Sequence, residues 1–179
     1  MAVSISWCTP VHNSKLTLRQ ITLFGMLGAL TFGVKVAMAG LPNIEPVSLM
    51  VILFAATFGW KALYPIYLYV LMEVLLYGLG FWNVNYLYVW AILAVAAVCM
   101  RRLKNPVWWA LLSGVFGLAF GFLCCPPYAV MGGFDYAIRW WLAGLPFDYI
   151  HGAANFVIAL LLFVPLRKLL EKLYAKTMQ

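Results

Sequence analysis

The sequence predicts an all-α integral membrane protein, a bundle of six transmembrane helices, and three observations carry that prediction. Of the 179 residues, 66% are hydrophobic and only 9% are charged, whereas soluble domains carry roughly a quarter charged residues. Mean hydropathy is +0.95, and the apolar residues gather in runs near the ~20 residues that a helix needs to cross a hydrocarbon core. Aromatic residues make up 17% of the chain, with eight Trp and ten Tyr, rings that favour the headgroup region. The formal charge of +7 comes from twelve Lys and Arg scattered between apolar runs, with no basic face for nucleic acid. It reads as membrane topology.

Residues 1–20 include Pro10, His12, Lys15 and Arg19 and lack an apolar core followed by a small-residue cleavage site. They read as a short cytoplasmic segment, not a cleaved signal. A first helix is expected over residues 21–39, ended by the loop 40–46 with Pro42 and Pro46. The next apolar run, 47–60, is short for a crossing and suggests a tilted or partly inserted helix. A third helix is expected over 62–79, a loop over 80–85, and a fourth helix over 86–100, closed by Arg101, Arg102 and Lys104.

The fifth helix, 107–125, is stopped by Pro126 and Pro127, and the sixth runs over 148–165. Between them the connection 126–147 is too polar to span yet holds Tyr136, Trp140 and Trp141, so it is expected to pack as a lid or re-entrant element. A basic amphipathic tail follows over 166–176. One membrane domain covers residues 1–179: the segment 1–20, the bundle 21–165 and the tail 166–179.

Basic residues concentrate in cytoplasmic loops. Placing both termini in the cytoplasm puts Lys15, Arg19, Lys61, Arg101, Arg102, Lys104, Arg167, Lys168, Lys172 and Lys176 inside, with only Lys35 and Arg139 outside. Acidic residues divide the other way: Glu45, Asp135 and Asp148 fall in outer loops and Glu73 in the outer half of the third helix. With Asn43, Asn83, Asn85, His151 and Asn155 they make the outer half polar, an outward-facing pocket with a closed apolar floor.

Ionisable groups inside a bilayer are costly and stay near partners, water or ligands. Lys35 and Glu73 lie at similar depth and can pair with each other or touch a ligand. His151 and Asn155 are four apart, with Asp148 one turn earlier, so the three share a helix face. Trp140 and Trp141 can stack on a flat heterocycle or anchor at the interface. Candidate ligand-binding residues are therefore Asn43, Glu45, Glu73, Asn85, Trp140, Trp141, Asp148, His151 and Asn155. Gly25, Ala29, Gly33 and Ala37 form a small-residue stripe on the first helix that lets another helix approach closely, within the chain or from a partner. Gly114, Gly117 and Gly121 make a looser stripe on the fifth, expected to pack internally.

No GxSxG, HExxH, P-loop or zinc spacing occurs, and no metal or cofactor of its own is expected. Energy for accumulating a solute would come from a partner or an ion gradient. Two other readings are an integral membrane enzyme using His151 with Asp148 or Asp135, or Cys124 or Cys125, and a structural membrane subunit.

The chain resembles the substrate-binding S components of energy-coupling factor (ECF) transporters. The resemblance rests on the stripe Gly25, Ala29, Gly33, Ala37, on LPNIEP (41–46), NYLYVW (85–90), SGVFGLAFGFLC (113–124) and GLPFDYIHGAANF (144–156). It implies capture of a vitamin or related micronutrient outside a bacterial plasma membrane, with cobalamin or a queuosine precursor as the nearest subgroup. The loops 42–46 and 135–147 would cover the site. A transmembrane scaffold subunit, docked on the first helix, and two ATPase subunits would drive release using ATP. Ala2 stands where nickel and cobalt S components carry a histidine.

Overall fold

The computed structural model describes residues 16–41 and 43–177. Pro42 and the amino-terminal residues, Ala2, Cys8 and Lys15 among them, lie outside the described residues. Among the described residues seven α-helices follow one another: α1 Leu18–Ala37, α2 Val47–Phe58, α3 Leu63–Tyr77, α4 Phe81–Met100, α5 Pro106–Leu123, α6 Cys125–Gly132 and α7 Phe134–Thr177. No strand occurs among the described residues. Among the described residues five helical stretches are long and apolar enough to cross a membrane: Leu18–Ala37, Val47–Tyr77, Phe81–Met100, Pro106–Gly132 and Phe134–Thr177.

α2 is the centre of the molecule. Ten of its twelve residues are buried, and it packs against α4, α5 and α7. A helix apolar all round is one with protein on every side. At 1.5 Å per residue it is only about 18 Å long. Its end is set by Gly59, whose φ of 61° is left-handed, a conformation glycine adopts without steric cost. A 3-10 turn, Gly59–Ala62, then leads into α3. Because Glu45 before α2 and Glu73 near the end of α3 line one cavity, the stretch Val47–Tyr77 folds back on itself at this turn.

The most extensive helix pair is α5 with α7, and its closeness comes from glycine. A Cβ at Gly117 would lie 2.8 Å from the Gly152 Cα, and one at Gly114 would lie 3.0 Å from the Phe156 Cβ. The two backbones touch where larger side chains would hold them apart. Below this crossing Trp109 stacks on Phe163, ring centroids 4.7 Å apart. The α5 stripe thus packs internally, as expected.

Helix ends shift by a few residues from the sequence reading throughout, and three larger departures each have a local reason. α4 starts at Phe81, not 86, because the Asn83 side chain accepts a hydrogen bond from the Gly80 N–H (2.6 Å); a polar cap begins the helix where apolar periodicity had not. Pro126 and Pro127 do not end helical structure but occupy the first turn of α6, where a missing N–H costs nothing. The expected connection 126–147 is helical throughout save at Gly133. Its second half is the beginning of a 44-residue α7 that continues through Pro146 and Pro165 into the tail. Each proline removes one i→i−4 hydrogen bond, and the rest of the long helix carries on around that loss.

Candidate functional site

α1 packs on α3 through Gly28, where an added Cβ would lie 2.9 Å from the Pro65 carbonyl oxygen and 3.0 Å from Leu68. That contact brings Lys35, two turns further on, beside α3 and α4. The Lys35 ammonium donates to Glu73 Oε2 at 3.0 Å, to the Tyr86 hydroxyl at 3.1 Å and to the Tyr69 hydroxyl at 3.2 Å. Tyr69 and Glu73 are one turn apart on α3 and present side chains to the same point. Lys35 also lies over the Tyr86 ring, 4.9 Å from its centroid. Of the two readings left open for Lys35 and Glu73, direct pairing is therefore present.

A cavity of about 340 Å³ opens beside this cluster, lined by Lys35, Asn43, Glu45, Glu73, Trp82 and Tyr86 among others. Asn43 has a left-handed φ of 59°, a conformation Asn tolerates better than most residues; it turns the loop so that Glu45 reaches inward. Glu73 is 2% exposed, and its Oε1 has no hydrogen-bond partner. Burial pushes the Glu45 carboxyl above the ordinary carboxylate range, and the Lys35 ammonium pulls it only part of the way back.

A second polar group lies between α2, α5 and α7. Asp148 Oδ1 accepts from the Gly121 N–H at 3.0 Å, and a Cβ on Gly121 would collide with that carboxylate. Asn155 donates to Ser48 Oγ at 3.0 Å, both residues fully buried. His151 lies against Phe120, edge to face at 5.0 Å. Its Nε2 has no hydrogen-bond partner and stands 4.0 Å from Glu45 Oε1, too long for a hydrogen bond. Glu45 is thus the residue that joins the two groups.

The structure therefore brings Asn43, Glu45 and Glu73 together around one cavity, with His151 behind Glu45 and Asp148 and Asn155 along the same α7 face. Asn85, Trp140 and Trp141 do not line that cavity. Asn85 is buried with its Oδ1 2.9 Å from the Tyr88 hydroxyl, whose single O–H is also within reach of the Leu123 carbonyl at 2.8 Å, so that Tyr88 links α4 to the end of α5. Trp140 stacks on Tyr128 at 4.0 Å, and Trp141 meets Phe122 edge-on at 5.3 Å. Cys125 Sγ lies 3.4 Å from the Gly121 carbonyl oxygen and 3.6 Å from that of Ala137, either of which can accept its single S–H. Sequence reading missed Tyr69, Tyr86, Trp82 and Ser48. The i,i+4 spacing of Tyr69 with Glu73, and of Trp82 with Tyr86, was the signal available for three of them; Ser48 had none.

The α1 stripe faces away from the other described residues. A Cβ added at Gly25 or Gly33 meets nothing within 4 Å, and Ala29 and Ala37 are exposed. Elsewhere on the surface large apolar side chains abound, Leu18, Leu75, Leu79 and Val130 more than three-quarters exposed, the surface of a protein whose solvent is lipid. Long apolar helices and this surface define an all-α, multi-pass membrane protein. No family model matches the chain, and no curated protein and no solved structure matches it.

Proposed function

We propose that this protein is the substrate-capturing S component of an ECF-type importer. The observation that carries the reading is a pair of features on one helix. α1 places Lys35 in the wall of a polar cavity at one end, and along its length it offers a small-residue stripe that no described residue covers. A ligand site and a docking face for a partner helix are what such a subunit requires. The resemblance in LPNIEP and GLPFDYIHGAANF supports the same assignment.

On this reading the chain crosses the membrane six times, because Val47–Tyr77 returns on itself at Gly59. Both termini are cytoplasmic: Arg101, Arg102, Lys104, Arg167 and Lys168 cluster around one pocket, as the inward bias of basic residues predicts. The cavity opens outward. Its ~340 Å³ suits a one- or two-ring nutrient, the smaller end of ligand pockets, and favours a queuosine-precursor-sized molecule over a corrinoid. A membrane scaffold subunit and two ATPase subunits supply the power stroke that this chain has no motif to supply.

Native mass spectrometry of the detergent-purified protein tests the assignment. The expected result is a retained molecule of vitamin size, with scaffold and ATPase subunits co-purifying when expressed together. Gly33→Leu is expected to lose the scaffold and keep the small molecule. A protein that retains nothing and binds no scaffold refutes the reading.

A further inference from the structure

Lys35, met alone in a cavity wall, looks like an anchor for an anionic ligand, but its bonding points the other way. An ammonium group has three N–H donors. All three are spent, on Glu73 Oε2, Tyr86 and Tyr69 at 3.0 to 3.2 Å. What the cavity offers instead is acceptors. Glu73 is 98% enclosed, being 2% exposed, yet its Oε1 is unpartnered in a residue that lines the cavity. Buried carboxylate oxygens without a donor are rare and costly. A donor arriving with the ligand would satisfy this one.

Charge and shape agree. The lining residues carry two carboxylates, Glu45 and Glu73, against one ammonium, so an anion meets a surplus of like charge and a monocation balances it. Tyr77, Trp82 and Tyr86 supply aromatic surface around the same space, which attracts flat rings and cations alike. Tyr86, whose oxygen accepts from Lys35, still has its own proton to give to a ligand acceptor.

We propose that the ligand is a small flat molecule presenting a cationic or N–H-donor edge, of the amine, amidine or amino-heterocycle class, to Glu73 and Glu45. The inference rests on the capture reading above and adds the chemistry of what is captured.

A matched pair of probes tests it: benzamidine and benzoate, alike in ring and size but opposite in charge, titrated into the full-length protein in detergent by calorimetry and thermal shift. Benzamidine is expected to bind and benzoate not. Glu73→Gln keeps an acceptor for Lys35 but puts an amide nitrogen where the unpartnered oxygen stood, and should weaken benzamidine roughly ten- to hundredfold, the worth of a charge-assisted hydrogen bond. Glu45→Gln, at a residue that lines the cavity but makes no direct bond in the Lys35–Glu73 pair, should weaken it about tenfold and keeps the test decisive if Glu73→Gln folds poorly. Benzoate binding as well as benzamidine, or benzamidine affinity unchanged in the Gln variants, overturns the proposal. So does a co-purifying molecule that is an anion without N–H donors. Scaffold association, lost in Gly33→Leu, separates the two failures: if it persists while the probes give the wrong order, the capture role stands and the ligand chemistry falls.

Discussion

Along α1, Gly25, Ala29, Gly33 and Ala37 recur every four residues; along α5, Gly114, Gly117 and Gly121 recur at three and four. As strings the two stripes differ little. In α5 each glycine is occupied from outside its helix, by the Gly152 backbone, Phe156, Asn155 or Asp148. In α1 the glycine that packs is Gly28, off the stripe, while Gly25 and Gly33 meet no described residue within 4 Å. Small-residue spacing shows that backbones can approach, and only the opposite face of the helix decides whether the chain itself makes the approach. α1 turns Phe24, Leu27, Gly28 and Thr31 inward, and that leaves its stripe outward.

The largest effect expected from this contrast is at α5. Gly117→Leu would drive a side chain into the Gly152 backbone, which cannot move aside as a flexible side chain can. A loss of about 2–3 kcal/mol in stability is expected, read as a lower midpoint of thermal unfolding in detergent and a poor yield of monodisperse protein. Near-normal unfolding would mean that the α5–α7 crossing is looser than described.

Next in size is the other attachment of α1, the ion pair to α3. Lys35→Met leaves Glu73 buried without its cation, and a cost of about 2 kcal/mol is expected, toward the lower side for a broken buried pair because Lys35 is itself one-fifth exposed. Lys35→Met with Glu73→Met should recover most of the loss, since an apolar pair needs no desolvation. A double variant as unstable as the single one would show that the ion pair is not what Lys35 contributes.

Gly33→Leu is the counterpart of Gly117→Leu and should change intrinsic stability by less than about 0.5 kcal/mol, as surface changes usually do. A fall comparable with that of Gly117→Leu would mean that the stripe is covered within the chain after all.

The smallest effect lies where the α1–α3 side meets α7. Glu45 faces Lys35 on α1, Glu73 on α3 and His151 on α7, and its folded-state pKa is raised by burial more than Lys35 lowers it. A raised carboxyl contributes stability that is present below its unfolded pKa and lost as pH rises through the folded one. Thermal unfolding followed from about pH 4 to about pH 7 should therefore show a small downward component that Glu45→Gln removes. Identical profiles for the two proteins would place Glu45 outside the cluster.

Much of the site was legible from the sequence because a charge in a bilayer needs a partner. Lys35 and Glu73 at matched depth pointed to a pair or a ligand contact, of which the pair is present, and the i,i+4 relation of His151 and Asn155 puts them on one face wherever the helix lies. Trp140 and Trp141 were harder. A ring that can stack on a ligand can equally stack on Tyr128 or Phe122, and nothing in a linear string distinguishes the two.

Composition and hydropathy by themselves determined that the protein is helical and lives in lipid, since an unpaired backbone in hydrocarbon leaves few alternatives, and they located the apolar runs. Tertiary structure alone decided that 126–147 is helical, with residues 134–147 opening α7, that Val47–Tyr77 doubles back at Gly59, and that Ser48 meets Asn155. Those outcomes depend on contacts between residues far apart in the chain, whose energies no local pattern records. The same holds for the two stripes: the glycines set how near a neighbour can come, and the packing of every other helix settled which neighbour came.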